Sequence, residues 1–395
     1  MTAINFSEGR SLSDVAVHSV NAEGGVEFVA TLTAVRPEAF VILCADGQIL
    51  HSEGLPWWLF DMRPQGYLGR AYCARHAVEL GLPASLSHWT DTHALRALLA
   101  QGHDLVGNLL LGERARAAFL EAALPEPVAE TDKIATYAVL AKAAAQGEIP
   151  GSSAGGEQPK FTAYVMTPEG PRHVIVKFSE PDQGPVQQRW RDLLLAEHLA
   201  LQTLNEGGVS ATTTRLVDSG TQRFLEVDRF DRVGVHGRRG LISLAALDAA
   251  FVGSGTGTWP EIVRRLVGAG HLQPQAAYQS AVLWAFGTLI GNSDMHGGNL
   301  SFLVEQGRPY AMAPAYDMLP MALSPRSGGG LPETLAAANI SAVVPDDAWR
   351  KAEALARAFL SRVHAHSGFS DRFTPLIGKL ADHIDAASMK IRRLG

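Results

Sequence analysis

The sequence predicts an α+β protein built from two or three packed units. Three observations predict it: short alternating apolar runs over 15–50, a second pair of β-like runs at 161–166 and 173–178 behind a glycine-rich stretch, and mostly helical spacing from about 233 onward. At 395 residues the chain exceeds one ordinary core, and 46% hydrophobic, 19% charged and 7% aromatic residues make a globular composition, not a disordered one. The boundaries expected are 1–125 for an N-terminal α+β subdomain, 126–232 for a small sheet with its glycine-rich loop, and 233–395 for a helical part.

Taken in order, the runs Val26-Glu-Phe-Val-Ala-Thr-Leu and Ala39-Phe-Val-Ile-Leu alternate and are broken by Gly and Asp, which predicts a small, mostly antiparallel sheet. Three- and four-residue spacing takes over at 68–82 and 93–99, so helices complete the first unit. The stretch 124–132, Leu-Pro-Glu-Pro-Val-Ala-Glu-Thr-Asp, reads as a linker because its prolines and carboxylates oppose regular structure. A helix over 133–146 then leads into Gly151-Ser152-Ser153-Ala154-Gly155-Gly156-Glu157-Gln158-Pro159-Lys160, and the turn Thr-Pro-Glu-Gly-Pro joins the two strands that follow. Next, 186–204 is a helix whose Trp190, Leu193, Leu194, Leu201 and Leu204 share a face. Glu197 falls on that same face, and a carboxylate turned toward a core needs a partner. A strand-like run ends at Phe224-Leu-Glu-Val-Asp228-Arg-Phe230-Asp-Arg232. Beyond it the pattern is helical apart from one polar region, with flexible breaks at 253–258 and 324–332.

Several functions are excluded. A net charge of −6 and a pI near 6.2 give no global field to hold DNA or an anionic membrane, so nucleic-acid contact is expected only through a partner. The longest apolar run, 281–291, is too short to span a bilayer and reads as a buried helix. Cys44 and Cys73 make neither a disulfide framework nor a zinc spacing, and the N-terminus lacks a signal-peptide pattern, so a cytoplasmic protein is expected. His364 and His366 lack acidic or thiol company and fit a surface helix better than a metal pair.

The strongest chemical signal is Ile290-Gly-Asn-Ser-Asp294-Met-His296-Gly-Gly-Asn299-Leu-Ser301-Phe302, followed by Ala315-Tyr316-Asp317. An Asp five positions before an Asn, with a second Asp farther on, is the polar set that metal-assisted phosphoryl transfer needs. Asp294 is the expected base for an incoming hydroxyl, Asn299 and Asp317 the expected Mg2+ ligands, and His296 the residue that shapes the loop by hydrogen bonding. Lys177, on a strand with apolar neighbours, would reach nucleotide phosphates and pair with Glu197, as in protein kinases. The glycine-rich loop, with Ser153, Ala154, Gly155 and Gly156, offers backbone N–H groups to phosphates but is not a Walker A loop. Asp228 and Phe230 stand at the junction where a hinge would meet adenine.

At these residues the chain resembles the HipA family of bacterial serine/threonine kinases, the toxins of toxin–antitoxin pairs, and most of all their YjjJ-type branch. The marks are Ser-Ser-Ala-Gly-Gly-Glu-Gln-Pro-Lys-Phe at 152–161, Val-Asp-Arg-Phe-Asp-Arg at 227–232, the 290–299 loop and Pro-Ala-Tyr-Asp-Met-Leu-Pro at 314–320. Leu-Pro-Trp-Trp-Leu-Phe-Asp-Met-Arg-Pro at 55–64 and His-Asp-Leu-Val-Gly-Asn at 103–108 extend the likeness over nearly the whole chain. The resemblance implies a bilobal kinase-like fold with an additional N-terminal subdomain, ATP and Mg2+ as cofactors, a protein substrate in translation, and restraint by a DNA-binding antitoxin. It also implies autophosphorylation in the glycine-rich loop, by position at Ser152; the loop is one residue longer than the commonest form, which leaves Ser152 and Ser153 both open. Members usually carry Lys where this chain has Gly298. That departure keeps an alternative in play, a nucleotide-binding regulatory module with little catalysis that docks on a DNA-binding partner. A small-molecule phosphotransferase would use the same site.

Overall fold

The computed structural model describes residues 14–36, 38–101, 104–146, 158–305 and 307–394. They divide into two compact units.

The first unit takes in the described residues up to Pro127, a short segment from Lys142, and Asp231–Leu241. Its centre is a five-stranded antiparallel sheet of β1 (Val15–Val20), β2 (Val26–Arg36), β3 (Ala39–Cys44), β4 (Ile49–Glu53) and β5 (Leu109–Leu111), in the order β4-β3-β2-β1-β5. Alternation puts Val15, Val17, Leu32, Phe40 and Ile42 on one face, where Leu59, Met62, Leu95 and Leu98 cover them. Helices α1 (Gly66–His76), α2 (Asp91–Gln101) and α3 (Gly112–Glu121) complete the unit. The helix expected over 68–82 stops early: after His76 the chain turns, and Gly81 at φ +61 sends Leu82 back to pack with Cys73 and Ala97.

The second unit holds Val128–Ala141, Gln158–Phe230 and the chain from Ile242 onward. After α4 (Lys133–Ala145) come β6 (Lys160–Val165), β7 (Arg172–Phe178), the long α5 (Pro185–Glu206), β8 (Thr214–Ser219) and β9 (Gln222–Asp228), forming a four-stranded antiparallel sheet in the order β6-β7-β9-β8. Its two faces have separate tasks. On one side Phe161 and Phe224 meet Tyr137 of α4 edge-on and Phe178 lies tilted against Phe161, while Leu225 and Val227 pack on Leu194 of α5 on the other. The stretch expected to be a plain linker contributes to this sheet. Val128 bridges Val165, donating to the Tyr164 carbonyl at 2.9 Å and accepting from Met166 N–H at 2.9 Å, because the edge strand has backbone groups to satisfy.

The short β10 (Arg232–Val233) and β11 (Gly237–Arg238) pair with each other and return to the first unit; β12 (Gly240–Ser243) follows. The helical part is α6 (Leu244–Phe251), α7 (Trp259–Gly268), α8 (Gln275–Leu289), α9 (Asp346–Ala365) and α10 (Thr374–Ile391), with the β-ribbon β13 (Ser301–Val304) and β14 (Ala311–Met312) set between them. From Ser280 onward helix α8 is buried almost throughout, as the apolar run from 281 predicts. The break at 253–258 is held firmly: Asp248 accepts from Ser254 N–H and hydroxyl and from Gly255 N–H at 2.9–3.0 Å, and a Thr258/Glu261 capping box starts α7. His364 and His366 each bond to backbone near the end of α9. No helix among the described residues is long and apolar enough to cross a membrane.

Candidate active site

Strand β7 carries Lys177 on the sheet face that looks toward α5. Four turns of apolar spacing bury α5, and Glu197 comes with them, fully enclosed. Lys177 Nζ donates to Glu197 Oε1 at 2.5 Å and also to Asp317 Oδ1. One ammonium thus joins the sheet, the helix and the segment after the 292–299 loop. Burial would lower the Lys177 pKa, but the Asp317 and Glu197 carboxylates outweigh it and hold the ammonium above its ordinary value. For Asp317 burial again opposes ionisation, and Lys177 with Lys160 reverses it, so this carboxyl lies below its usual range. Glu197 Oε2 has no hydrogen-bond partner in this arrangement.

Lys160 is a residue that sequence reasoning passed over. It lies directly across the β6–β7 ladder from Lys177, so the pleat turns both side chains to the same face, and it is buried there. Burial pushes its pKa down, opposed most by Asp317. The signal was available: two lysines 17 positions apart in consecutive strands joined by a tight turn.

The loop after α8 supplies the remaining groups. Gly291, at φ +75, ends the helix in a conformation that an L side chain rarely takes. Buried Asn292 then ties two acids together: its Oδ1 accepts from Asp294 N–H at 3.0 Å, and its Nδ2 donates to the Asp317 carbonyl at 3.1 Å. Asn299 Nδ2 donates to the Asp294 carbonyl at 2.9 Å, which fixes the amide orientation. Asp294 itself is half exposed, with an oxygen 3.9 Å from His296 Nε2. His296 caps the short turn Gly297–Asn299 by accepting from Gly298 N–H at Nδ1, 3.0 Å, while its carbonyl accepts from the Trp259 indole at 3.0 Å. A Cβ on Gly298 would stand 2.9 Å from the His296 ring, so a lysine there would have to displace it. Tyr316 spans the loop, its hydroxyl donating to the Gly298 carbonyl at 2.8 Å and sharing a 2.6 Å bond with Ser301. Phe230 packs against the Tyr316 ring at 5.8 Å.

The structure therefore brings Lys177, Glu197, Asp317, Asp294, Asn299 and His296 into one cluster, with Phe230 beside it. Asp228 is not among them. Its carboxylate lies on the opposite sheet face, bonded to Arg215 at 2.7 and 3.1 Å, and the Asp228 carbonyl accepts from the Thr212 hydroxyl at 2.8 Å. Ser152, Ser153, Ala154, Gly155 and Gly156 lie outside the described residues.

Asp317 has a left-handed backbone, φ 54, which Asp tolerates better than most residues. Its Oδ2 and the Asn299 Oδ1 carry no hydrogen bond among the described residues, so two oxygen donors remain for a cation. No three His, Cys, Asp or Glu side chains gather into a cage among the described residues. A hard ion that keeps its waters and leans on phosphates, such as Mg2+, suits that sparse oxygen set.

Known proteins resemble this chain over nearly its whole length. A model of the YjjJ-like toxin middle domain matches residues 11–120, and one of the HipA-like C-terminal domain matches 152–386. Toxin YjjJ of Escherichia coli K12 is 39% identical over 388 residues, covering 98% of this chain and 87% of that protein. Serine/threonine-protein kinase toxin HipA of Shewanella oneidensis is 26% identical over 200 residues, 43% of each. Among solved structures, the Shewanella oneidensis HipA in complex with HipB and operator DNA superposes with a TM-score of 0.57 at 14% identity, across 94% of this chain and 95% of that one. The fold is HipA-like, as the sequence implied.

Proposed function

The chain belongs to the HipA-like toxin family, in its YjjJ-like branch, and from that premise we propose that it is a serine/threonine protein kinase. It transfers the γ-phosphate of ATP to a protein hydroxyl. The observation that carries this reading is the linkage of Asp294 to Asp317 through Asn292 and of Asn299 to the Asp294 carbonyl, with Lys177 held between Glu197 and Asp317.

Each group then has one task. Lys177, kept charged by its two acids, binds and orients nucleotide phosphates, and Glu197 holds it there. Asp294, half exposed at the mouth of the loop, accepts the proton of the incoming hydroxyl through a carboxylate oxygen. Asn299 and Asp317 would hold Mg2+, which when bound neutralises phosphate charge. Phe230, which lies against Tyr316, would pack on an adenine ring in this reading. Autophosphorylation at Ser152 or Ser153 would add charge beside the nucleotide and drive the glycine-rich loop from its phosphate-binding pose, giving the protein a way to switch itself off.

The relatives' names support a toxin, and in this reading it acts in the cytoplasm on a protein of the translation machinery. The HipA–HipB–DNA complex supports a DNA-binding antitoxin as partner. With labelled ATP and Mg2+, wild type should incorporate phosphate, and intact mass should rise by one phosphate on Ser152 or Ser153. Label that persists unchanged in Asp294→Asn and Asp317→Asn would refute the site. Gly298, in place of the family's usual lysine, favours the second reading, a nucleotide-binding regulatory module. That reading gains if the purified chain binds ATP yet forms no phosphoserine.

A further inference from the structure

Arg189 occupies the first half of α5, eight residues before Glu197, so Arg189, Leu193 and Glu197 lie along one helix face. It is buried, and no carboxylate lies within ion-pair distance of it among the described residues. Its Nη1 instead donates to two backbone carbonyls, Leu323 at 2.8 Å and Pro332 at 2.9 Å. A buried guanidinium whose hydrogen bonds go to neutral carbonyls is costly, and burial pulls its pKa below the ordinary arginine value against the opposing charges of Asp192 and Glu333. Such a residue is expected where it performs a task that an apolar side chain could not.

The two carbonyls identify the task. Leu323 lies six residues beyond Asp317, at the end of a short turn, and Pro332 closes the following excursion, Ser324 to Leu331. On its other side the same stretch is tied to the catalytic loop, through Ala322 N–H to the Gly291 carbonyl at 3.0 Å and Asn292 Nδ2 to the Asp317 carbonyl. The segment after Asp317 is therefore held at one end by the loop that carries Asp294 and at the other by the helix that carries Glu197. Long irregular stretches such as this one, which continues to Pro345, otherwise wander. Farther along, Lys390 donates to the Ala338 carbonyl at 3.0 Å and Arg264 to the Val343 carbonyl at 2.6 Å.

We infer that Arg189 is a positioning residue for Asp317: by fastening the segment after Asp317 to α5, it keeps the two acids that meet Lys177 in step. No phosphate on the segment is required for this ordering. The inference rests on the phosphotransfer reading above and concerns how its cation-binding acid is held.

The experiment compares wild type with Arg189→Met and Arg189→Lys in the full chain. One readout is binding of a non-hydrolysable ATP analogue as Mg2+ is titrated, and the other is hydrogen exchange of the 319–324 amides in the ligand-free protein. Loss of a residue that orients a metal ligand commonly weakens the metal by about 10–100-fold. In Arg189→Met the Mg2+ needed for half-saturation should rise at least about tenfold, binding without Mg2+ should be unchanged, and those amides should exchange faster. Arg189→Lys, which can still reach one carbonyl, should fall between. A merely structural arginine would lower the thermal midpoint and leave the Mg2+ requirement as it was, and that result overturns the inference. If Arg189→Met does not fold, an unchanged Mg2+ requirement in Arg189→Lys overturns it equally. Wild type that binds with Mg2+ dependence but transfers no phosphate defeats the kinase reading alone, whereas wild type indifferent to Mg2+ defeats both.

Discussion

Single residues in this site are coupled through one ammonium. Replacing Lys177 by Met leaves the buried Glu197 carboxylate facing Asp317 without their shared cation, and removal of one partner from a buried ion pair costs about 3–5 kcal/mol. Urea unfolding should show a loss of that size, well beyond that of a surface lysine. Asp294 is a different case, because its carboxylate is half in solvent and its backbone N–H and carbonyl take part in the hydrogen bonds that hold the loop. Asp294→Asn should retain the thermal midpoint of wild type while labelled-phosphate incorporation drops about 10²–10⁴-fold. What the sequence made legible at this scale was the chemistry that depends on spacing: the Asp294 to Asn299 interval, and Glu197 on an apolar face that demanded a cation. Asn292 and Arg189 were not legible, since a buried amide bridging two acids, or a guanidinium holding two carbonyls, has no periodicity of its own. Asp228 misled because a strand end fixes where the backbone goes but the pleat decides the side chain's face.

Among the elements, α5 links the most parts of the site, and its interior contains a titrating group. His198 follows Glu197 and hydrogen-bonds Thr214 of β8 at 2.8 Å. Burial first, and then the charge of His366, hold its ring at about 4, against 6.5 for an ordinary histidine. The folded chain keeps it neutral where the unfolded chain would protonate it, so the stability it supplies is complete above pH 6.5 and is lost as the pH falls through 4. Between pH 7 and pH 5 wild type should lose about 1 kcal/mol that a His198→Asn variant does not, read as a smaller shift of its thermal midpoint. The element itself was well marked in sequence. Its apolar stripe, its Pro185 start and the Gly207 that follows it are signals that local physics sets, and the observed bounds, Pro185–Glu206, extend only slightly past the expected 186–204. The first unit's turns were harder to read. Three-residue β5 and the early end of α1 depend on partners far along the chain, not on local pattern.

For the whole molecule, the main surprise is that the first unit is not continuous in sequence. Asp231–Leu241, which patterning divided between the small-sheet unit and the helical part at 232/233, completes it. Arg232 reaches Asp104 at 2.7 Å and the Leu105 and Gly107 carbonyls at 2.6 and 2.9 Å, and Asp231 accepts from Gly107 N–H at 3.0 Å. A fragment that stops at Pro127 should thus be less stable, by roughly 2–4 kcal/mol, than the same fragment with 231–241 joined on, and the Gly107 amide should lose its exchange protection. No window of local sequence could reveal this, because the partners stand 124 and more positions apart. The shared ammonium also has a thermodynamic corollary for the complete protein. Before any nucleotide arrives, Lys177 satisfies Asp317; a triphosphate that draws Lys177 toward itself frees that acid for a divalent ion, and the ion in turn relieves the acid of its need for Lys177. The two ligands should therefore reinforce one another's affinity by the same factor in either order of addition, a reciprocity written into a single side chain.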